Sequence, residues 1–296
     1  MDGVVNVYKE AGCSSFDVVY RVKKILNVKR CGHIGTLDPI AEGVLPICLN
    51  NATKLSQYLM SDDKEYIVSV KLGIKTDTMD ITGEILETSD VIPNLKDIEK
   101  MALNMIGENT YKIPAFSAVK IKGERAYKLA RKGLIEDAGK RVMKIYSFEI
   151  ISYEYPVLTI RISCEKGTYI RSVVDCFGEK LSCFGTMEHL ARTKNGIFDI
   201  KKSYKISQLE EMKERGDFSF IRQINEVLIW PKCVLKDDFV DKFLNGGSIP
   251  RSGFMKLPIE EDSEYFWIFD RQDKLLGFAK KNVGKSIPLS IVKVFK

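Results

Sequence analysis

The chain has 296 residues, which exceeds one typical domain and falls short of three. With 45% hydrophobic and 29% charged residues, its composition is that of an ordinary soluble globular protein with ample apolar material for a core. The net charge of +6 permits an anionic partner but does not require one. No apolar run approaches membrane-spanning length, and the first residues carry no signal-peptide pattern.

The chain contains seven cysteines, an odd number, and no two of them form a CxxC pair. This pattern indicates neither a disulfide framework nor a zinc site. We therefore expect a protein of the reducing cytoplasm that has no metal and no membrane partner.

Positive charge is concentrated in two stretches. Residues 112–144 contain ten basic and three acidic side chains, whereas residues 21–30 contain five basic side chains and no acidic one. Such a local excess suits contacts with the phosphates of a nucleic acid. Taken alone, either stretch is more simply interpreted as a solvated face of the protein.

The first predicted helix begins at a capping-box pattern formed by Ser14 and Asp17. Apolar residues at 18, 22, 25 and 26 then fall on one helical face. The segment from Gly32 to Gly43 contains three glycines and a proline, so we expect it to be a loop. A strand with alternating apolar residues is predicted from Tyr66 to Ile74.

Residues 75–83 form a polar, turn-rich connection, and a short helix is predicted near 124–131. An alternating strand from Leu158 to Cys164 precedes a helix whose apolar face runs from Ile170 to Leu181. Strands and helices are mixed without regular alternation. This order favours an α+β fold with a mixed, largely antiparallel sheet over a doubly wound parallel sheet.

The character of the chain changes near Trp230. Short apolar runs at 265–269, 275–279 and 287–295 are separated by glycine, proline and charged turns. This pattern predicts a small all-β module over residues 230–296, following a first domain over residues 1–229.

Asp38 lies in the sequence Gly-Thr-Leu-Asp-Pro of the glycine-rich loop. Standing alone, an aspartate before a proline is usually a turn or capping residue. The glycines do not indicate a nucleotide-binding loop either, because no Gly-Lys-Ser/Thr follows and no GxGxxG opens a helix.

A set of motifs resolves the interpretation of this loop. The sequence GHIGTLDPIAEGVLPICLNNATK resembles the motif GHxGTLDPxAxGxLPxCxGxATK of tRNA pseudouridine synthases of the TruB family. Four further blocks of that family occur in the same order, as KEAGCSS at 9–15, KEY with LG and TDTMD at 64–80, FSAVK with G and RAY at 116–131, and CEKGTYIR at 164–171. The chain departs from the family pattern at Glu10, Asn50, Tyr111 and Ile113.

The resemblance implies the reaction and the central residue. In this family the uridine at position 55 of the tRNA T-loop is converted to pseudouridine, with an aspartate at the position of Asp38 as the catalytic residue. The reaction breaks the N1–C1′ bond, turns the uracil and joins C5 to C1′. A carboxylate suits the electron-deficient C1′, as in glycosidases. No second carboxylate is expected, because water would be harmful to this reaction.

The resemblance also assigns supporting residues. Arg171 is expected beside Asp38, where an ion pair would keep the carboxylate ionised in a dry pocket. Tyr66 is expected to stack on the target base and to help remove the C5 proton, and Leu190 and Tyr169 are expected to line the base pocket. Without the motifs, Arg171 is a helix-end surface residue and Tyr66 a core aromatic.

RNA contacts are predicted at His33 and along the basic stretch 112–144, where bacterial members of the family carry a loop that inserts against the T-arm. A stacked uridine must be flipped out at a cost of roughly a few kcal/mol, which phosphate contacts would offset. The module at 230–296 resembles a PUA-like RNA-binding barrel. The remaining residues predicted to bind RNA are Lys9, Lys120, Lys122, Arg125, Lys128 and Arg131.

The resemblance implies tRNA as the partner and no cofactor, and we expect a monomer because nothing in the sequence suggests a larger assembly. Two alternatives stay open, a non-catalytic RNA-binding or RNA-folding protein and a guide-RNA-dependent pseudouridylase of the same superfamily. The intact Asp38, Tyr66 and Arg171 argue against the first, and the basic stretch argues against the second. A glycosidase or nucleotide hydrolase is a more distant alternative, since no second carboxylate and no phosphate loop is evident.

Overall fold

The computed structural model describes residues 1–60, 63–117, 119–121, 123–135, 137–283 and 286–295. Its α-helices are α1 (Ser15–Leu26), α2 (Ser56–Leu59), α3 (Leu95–Met105), α4 (Ala126–Ala130), α5 (Ile170–Lys180), α6 (Ile206–Glu214), α7 (Ile224–Val227) and α8 (Val240–Leu244). Its strands are β1 (Gly3–Lys9), β2 (Cys31–His33), β3 (Glu42–Leu49), β4 (Lys64–Leu72), β5 (Ile74–Thr76), β6 (Ile85–Thr88), β7 (Gly107–Pro114), β8 (Lys120–Ile121), β9 (Glu124–Arg125), β10 (Asp137–Glu154), β11 (Val157–Cys164), β12 (Gly185–Asn195), β13 (Phe198–Asp199), β14 (Ile221–Arg222), β15 (Lys232–Leu235), β16 (Phe254–Lys256), β17 (Tyr265–Phe269), β18 (Leu275–Lys281) and β19 (Leu289–Val294).

A large mixed sheet forms the centre of the molecule, with its strands in the order β14-β1-β3-β12-β4-β11-β10-β7. Neighbouring strands are antiparallel except for β12 and β3, which run parallel. Helices α1, α3 and α5 bury apolar faces against this sheet. Along the chain, helices and strands do not alternate regularly. The predicted α+β class with a largely antiparallel sheet is confirmed.

The strand predicted to start near Tyr66 corresponds to β4, which lies in the middle of this sheet. Side chains of β4 alternate between buried and partly exposed, as the alternating sequence pattern predicts. The prediction extends too far in placing Ile74 in the same strand. Gly73 has a φ of 90°, which directs the chain away from the sheet and into the separate β5–β6 hairpin.

The glycine-rich loop is shorter than predicted. Residues Cys31–His33 form strand β2 on the edge of β3, so the loop covers only residues 34–41. The extended backbone here satisfies its hydrogen bonds on a neighbouring strand, which glycine content alone does not reveal. At the other end of β3, Asn50 replaces the glycine of the family motif with a φ of 47°, a conformation that asparagine tolerates better than most residues.

The basic stretch 112–144 divides into sheet and insertion. Strand β7 ends at Pro114 and pairs with β10, which begins at Asp137. The part that leaves the main sheet is therefore residues 115–136, comprising the β8–β9 hairpin and α4. The predicted helix near 124–131 corresponds to α4.

The C-terminal region contains a second sheet with strands in the order β16-β15-β17-β18-β19. The three apolar runs predicted as strands correspond to β17, β18 and β19. A closed barrel is not confirmed, because the described strands form an open sheet whose two edges, β16 and β19, do not pair. Barrel closure depends on pairing between distant strands, which short apolar runs do not specify.

The two sheets are joined by a shared aromatic core. Tyr58, which lies in α2, packs against Trp230, Tyr265 and Phe278, with ring centroids 4.9–5.3 Å from its own. Apolar residues of β1, β3 and α7 belong to the same buried cluster. No helix in the described part of the chain is long and apolar enough to cross a membrane.

Candidate active site

Asp38 lies in the loop 34–41 between β2 and β3. Its side chain is 37% exposed, so a ligand can reach the carboxylate without displacing the loop. The backbone carbonyl of Asp38 accepts a hydrogen bond from the Ala41 amide at 3.1 Å, which closes a turn directly after the Asp-Pro pair.

Arg192, on β12, is the principal support of this loop. Its side chain is almost fully buried and donates to the carbonyl oxygens of Val44 at 2.7 Å, Gly35 at 3.0 Å and Thr36 at 3.4 Å. Because an unpaired buried charge is costly, these bonds fix the guanidinium and the loop to each other.

Two glycines allow the loop to approach Arg192. Gly35 has a φ of 77° and Gly43 a φ of 101°, in the left-handed region that disfavours other residues. A side chain at Gly43 would collide with the backbone of Arg192, since the two residues pair between β3 and β12. Gly43 therefore permits the close pairing of β3 with β12, and Gly35 permits the left-handed backbone of the loop.

Lys9 supports the other half of the loop. It has no exposed surface, and its ammonium donates to the carbonyl oxygens of Ala41 at 2.5 Å, Glu10 at 3.2 Å and Pro39 at 3.3 Å. Burial lowers its pKa, and the negative charge of Asp38 is among the influences that oppose this shift. The predicted RNA contact of Lys9 does not fit this position, because its donors are directed into the protein.

The start of α1 is also attached to the loop. The buried hydroxyl of Ser15 donates to the Leu37 carbonyl and accepts from the Leu37 amide, both at 2.9 Å. Asn195 holds the first residue of the loop by donating to the Ile34 carbonyl at 2.9 Å. The residue preceding Asp38 is thereby bonded to the helix that the KEAGCSS block begins.

Arg171 is the cation that contacts Asp38 directly. Its Nε lies 3.0 Å from Asp38 Oδ2, and its side chain is only 6% exposed. The guanidinium also donates to the carbonyl oxygens of Thr78 at 3.1 Å and Phe116 at 2.9 Å. It therefore links the Asp38 loop, the turn after β5 and the start of the insertion, from its position in the first turn of α5.

A second carboxylate, Asp80, lies on the other side of Arg171. Its Oδ2 is 3.6 Å from Arg171 Nη1, and its side chain is 8% exposed. Its Oδ1 accepts from Thr78 at 3.0 Å and from the hydroxyl of Thr82 at 2.5 Å. Asp80 was not predicted as a site residue, although it lies in the TDTMD block. Arg192 was not predicted either, although it lies two residues after the predicted Leu190.

Tyr66 and Leu190 lie beneath the loop on adjacent central strands. Tyr66 pairs with Arg192, Leu190 pairs with Val68, and both predicted pocket residues are at most 6% exposed. Burial raises the pKa of the Tyr66 phenol, while the nearby Arg192 guanidinium opposes the rise and the Asp38 carboxylate adds to it. Tyr66 therefore lies close to both charged groups, with the neutral phenol as its favoured form.

His33 and Tyr169 flank the same region. His33 ends β2 directly before the loop, is partly exposed, and has a buried Nδ1 without a hydrogen-bond partner in the described residues. Burial, and then the nearby charge of Arg192, lower its pKa below the usual value. Tyr169 caps α5 next to Arg171 and is partly buried against the main core.

The predicted RNA-binding residues of the insertion lie on its surface. Lys120, Arg125, Lys128 and Arg131 are exposed, and the Arg131 guanidinium lies 5.8 Å from the centre of the Tyr127 ring. Lys122 falls outside the described residues. No group of three or more metal-ligating side chains suited to a metal ion occurs within the described ranges.

Comparison with known proteins agrees with this geometry. The family model "TruB family pseudouridylate synthase (N terminal domain)" matches residues 23–170. The tRNA pseudouridine synthase B of Clostridium kluyveri is 37% identical over 296 residues, covering 100% of both chains. The proteins of the same name from Clostridium tetani and Listeria welshimeri are 41% and 35% identical and cover 83% and 91% of this chain, and 85% and 91% of their own.

Solved structures also match nearly the whole chain, including the C-terminal sheet. The crystal structure of an archaeal box H/ACA sRNP Nop10-Cbf5 complex contains a chain that is 26% identical, with a TM-score of 0.70, covering 99% of this chain and 86% of its own. A Cbf5-Nop10-Gar1 complex contains another, 28% identical with a TM-score of 0.71, covering 99% and 85%. The chain described here belongs to the TruB family of pseudouridylate synthases.

Proposed function

We propose that this enzyme isomerises the uridine at position 55 in the T-loop of tRNA, with Asp38 as the residue that reacts or assists at C1′. The observation that carries this proposal is the contact between Asp38 and the buried Arg171. Asp38 lies on a loop whose carbonyl oxygens accept hydrogen bonds from Lys9, Ser15 and Arg192. Such a fixed carboxylate suits stabilisation of a developing positive charge at the sugar.

The environment of the second carboxylate favours isomerisation over hydrolysis. A glycosidase needs two available carboxyl groups, one of which manages the leaving group and water. Asp80 is buried and bonded to Thr78, Thr82 and Arg171, so of the two carboxylates that contact Arg171 in the described residues, Asp38 is the one that the substrate can reach. We assign Asp80 the role of orienting Arg171.

The base pocket is assigned to Tyr66, Leu190 and Tyr169. A detached uracil must be held while it rotates, and an aromatic ring with an aliphatic side chain beside it provides a stacking surface that excludes water. The raised pKa of Tyr66 disfavours a phenolate, which supports the stacking role over the removal of the C5 proton.

The RNA is proposed to bind across the insertion and the C-terminal sheet. Exposed cations at Lys120, Lys128 and Arg131 suit the phosphates of the T-arm, and these contacts would offset the cost of flipping the uridine. We propose that residues 1–229 form the catalytic domain and residues 230–296 a PUA-like RNA-binding domain. His33, neutral beside the loop, would contact the flipped nucleotide.

We further propose that the protein is a cytoplasmic monomer without a cofactor and that it acts on tRNA without a guide RNA. Two observations support action on tRNA without a guide. The relatives that match nearly the whole chain carry the name tRNA pseudouridine synthase B. In addition, an insertion with four exposed cations, at Lys120, Arg125, Lys128 and Arg131, is present where such an enzyme has to grip the RNA itself. Both similar solved chains come from complexes that contain Nop10, so the test also includes the guide-RNA-dependent alternative.

The test is chemical mapping of pseudouridine on an unmodified tRNA transcript incubated with the pure protein alone. We expect one new pseudouridine, at position 55, and none in a matched transcript with cytidine at that position. Tight binding without modification would favour the RNA-folding alternative. Modification that appears only with an added guide RNA would favour the guide-dependent one.

A further inference from the structure

Helix α1 presents two large aromatic side chains to solvent. Phe16 is 72% exposed and Tyr20 is 62% exposed, although aromatic residues of this size are usually well buried. The two residues are four apart in the helix, so they are neighbours on one face, and Lys23 and Lys24 continue that face towards the C-terminal end. We name Phe16, Tyr20, Lys23 and Lys24 the α1 stripe.

The surroundings of the α1 stripe are strongly positive. Arg21, Lys29 and Arg30 are exposed beside Lys23 and Lys24, and within the described part of the chain none of the five forms an ion pair. The one acidic residue of the helix, Asp17, is held by Ser14 in the capping box, where its oxygen accepts from the Ser14 amide at 2.8 Å. Charge here is complementary to a polyanion.

The α1 stripe begins beside the active site. Ser15, the residue before Phe16, is bonded to Leu37 in the Asp38 loop, and the Gly12 amide donates to the Pro39 carbonyl at 2.8 Å. The helix has 12 residues and extends about 18 Å from that point. The N-terminal end of the stripe is therefore adjacent to the loop that carries Asp38.

The opposite face of α1 limits what the partner can be. Val18, Val22 and Leu26 are buried in the main core, so the helix cannot turn an apolar face towards a lipid surface. Two separated aromatic rings followed by cations form a pattern that suits an RNA strand, whose bases stack on rings and whose phosphates contact lysines.

We propose that the α1 stripe is a second contact surface for the substrate RNA, separate from the insertion. An unpaired nucleotide near the reacting uridine stacks on Phe16 and Tyr20, and the adjoining phosphates contact Lys23 and Lys24. This inference rests on the proposed function in one respect, that the substrate is an RNA with unpaired nucleotides.

The aromatic half is tested with the double variant Phe16→Ser, Tyr20→Ser. The matched control is Leu95→Ser, Leu103→Ser, which removes two exposed apolar side chains from α3. We expect the Kd for a T-arm stem-loop, measured by filter binding, to rise roughly tenfold or more in the α1 variant. The control should remain within about twofold, and kcat at saturating RNA should be unchanged in both.

The basic half is tested with Lys23→Gln, Lys24→Gln against Lys96→Gln, Lys100→Gln, which removes two exposed lysines of α3. The slope of log Kd against log salt concentration should fall by roughly 0.7 for each phosphate that no longer meets a lysine in the α1 variant. The α3 variant should retain the slope of the wild-type protein.

The outcomes separate this inference from the function on which it rests. If the wild-type protein forms pseudouridine and the α1 variants bind the stem-loop with wild-type Kd and salt slope, the α1 stripe is not an RNA surface and the proposed function stands. If the wild-type protein forms no pseudouridine, the proposed function is wrong. The binding comparison does not depend on turnover and still decides the role of the stripe.

Discussion

The Asp38 loop and the insertion at 115–136 are built in opposite ways. In the loop, carbonyl oxygens at Gly35, Leu37 and Ala41 each accept a hydrogen bond from a buried side chain. The insertion has strands of two residues and a helix of five, and Lys120, Lys128 and Arg131 are exposed to solvent.

This difference matches two separate tasks. A carboxylate that stabilises a transition state must already be in position when the substrate arrives, so its supports are buried and hydrogen-bonded to the loop. A surface that follows an RNA backbone gains from adjustable side chains, since phosphate contacts carry little geometric demand. Arg171 connects the two regions because it bonds both Asp38 and the Phe116 carbonyl at the start of the insertion.

The largest expected effect comes from Asp38→Asn. This variant keeps the shape of the side chain and removes the negative charge that the reaction needs. We expect pseudouridine formation to fall by at least about a thousandfold, with the Kd for tRNA nearly unchanged. Single-turnover assays and filter binding measure the two quantities. Activity within tenfold of wild type would show that Asp38 is not the catalytic residue.

Arg171→Ala comes next. Loss of the guanidinium leaves Asp38 and Asp80 without their shared partner, so we expect kcat to fall about a hundredfold or more. Arg171→Lys should rescue poorly, because a single ammonium cannot reach four partners. The control is Arg161→Ala, which breaks an exposed ion pair with Glu149 and should not change kcat. Full activity of the lysine variant would mean that only the charge matters.

Replacement of Lys120, Lys128 and Arg131 by Gln should weaken binding more than turnover. We expect the slope of log Kd against log salt concentration to fall by roughly 0.7–0.9 for each phosphate left without its cation, while kcat at saturating RNA is retained. The matched control replaces the exposed Lys96, Lys100 and Lys213. If the salt slope did not change, we would conclude that the insertion is a solvated face and does not contact RNA phosphates.

The smallest effect concerns His33. Its pKa is lower in the folded protein, so between that value and the unfolded pKa near 6.5 the unfolded chain binds more protons. The stability that the neutral imidazole contributes is therefore present above the unfolded pKa and is lost as the pH falls towards the folded pKa. Denaturant titrations from pH 7 to pH 5 should show a steeper decline for wild type than for His33→Asn, and parallel curves would contradict the assignment.

Local patterns in the sequence predicted much of the fold. The capping box at Ser14 and the alternation along β4 depend on neighbouring residues, and both are present. Strand β2 and the openness of the C-terminal sheet were not predicted, because they depend on which distant strand is available as a partner.

The same distinction between local patterns and distant partners applies to the candidate site. Motif similarity identified Asp38 and Arg171, and the structure brings their side chains together. It did not predict that Lys9 and Arg192 bond the carbonyls of the loop, because a lysine or arginine in a motif does not reveal which backbone oxygen it meets. Asp80 was overlooked for the same reason, since its partners come from both a local turn and α5.

The aromatic core between the two sheets has a spectroscopic consequence. The chain has two tryptophans, Trp230 and Trp267, and both lie in this core with ring centroids 4.6 Å apart. The Trp267 indole donates to the Leu228 carbonyl at 2.8 Å, directly before the C-terminal region. Intrinsic tryptophan emission therefore reports on the aromatic core between the two sheets, and we expect it to change when the C-terminal sheet separates from the main sheet.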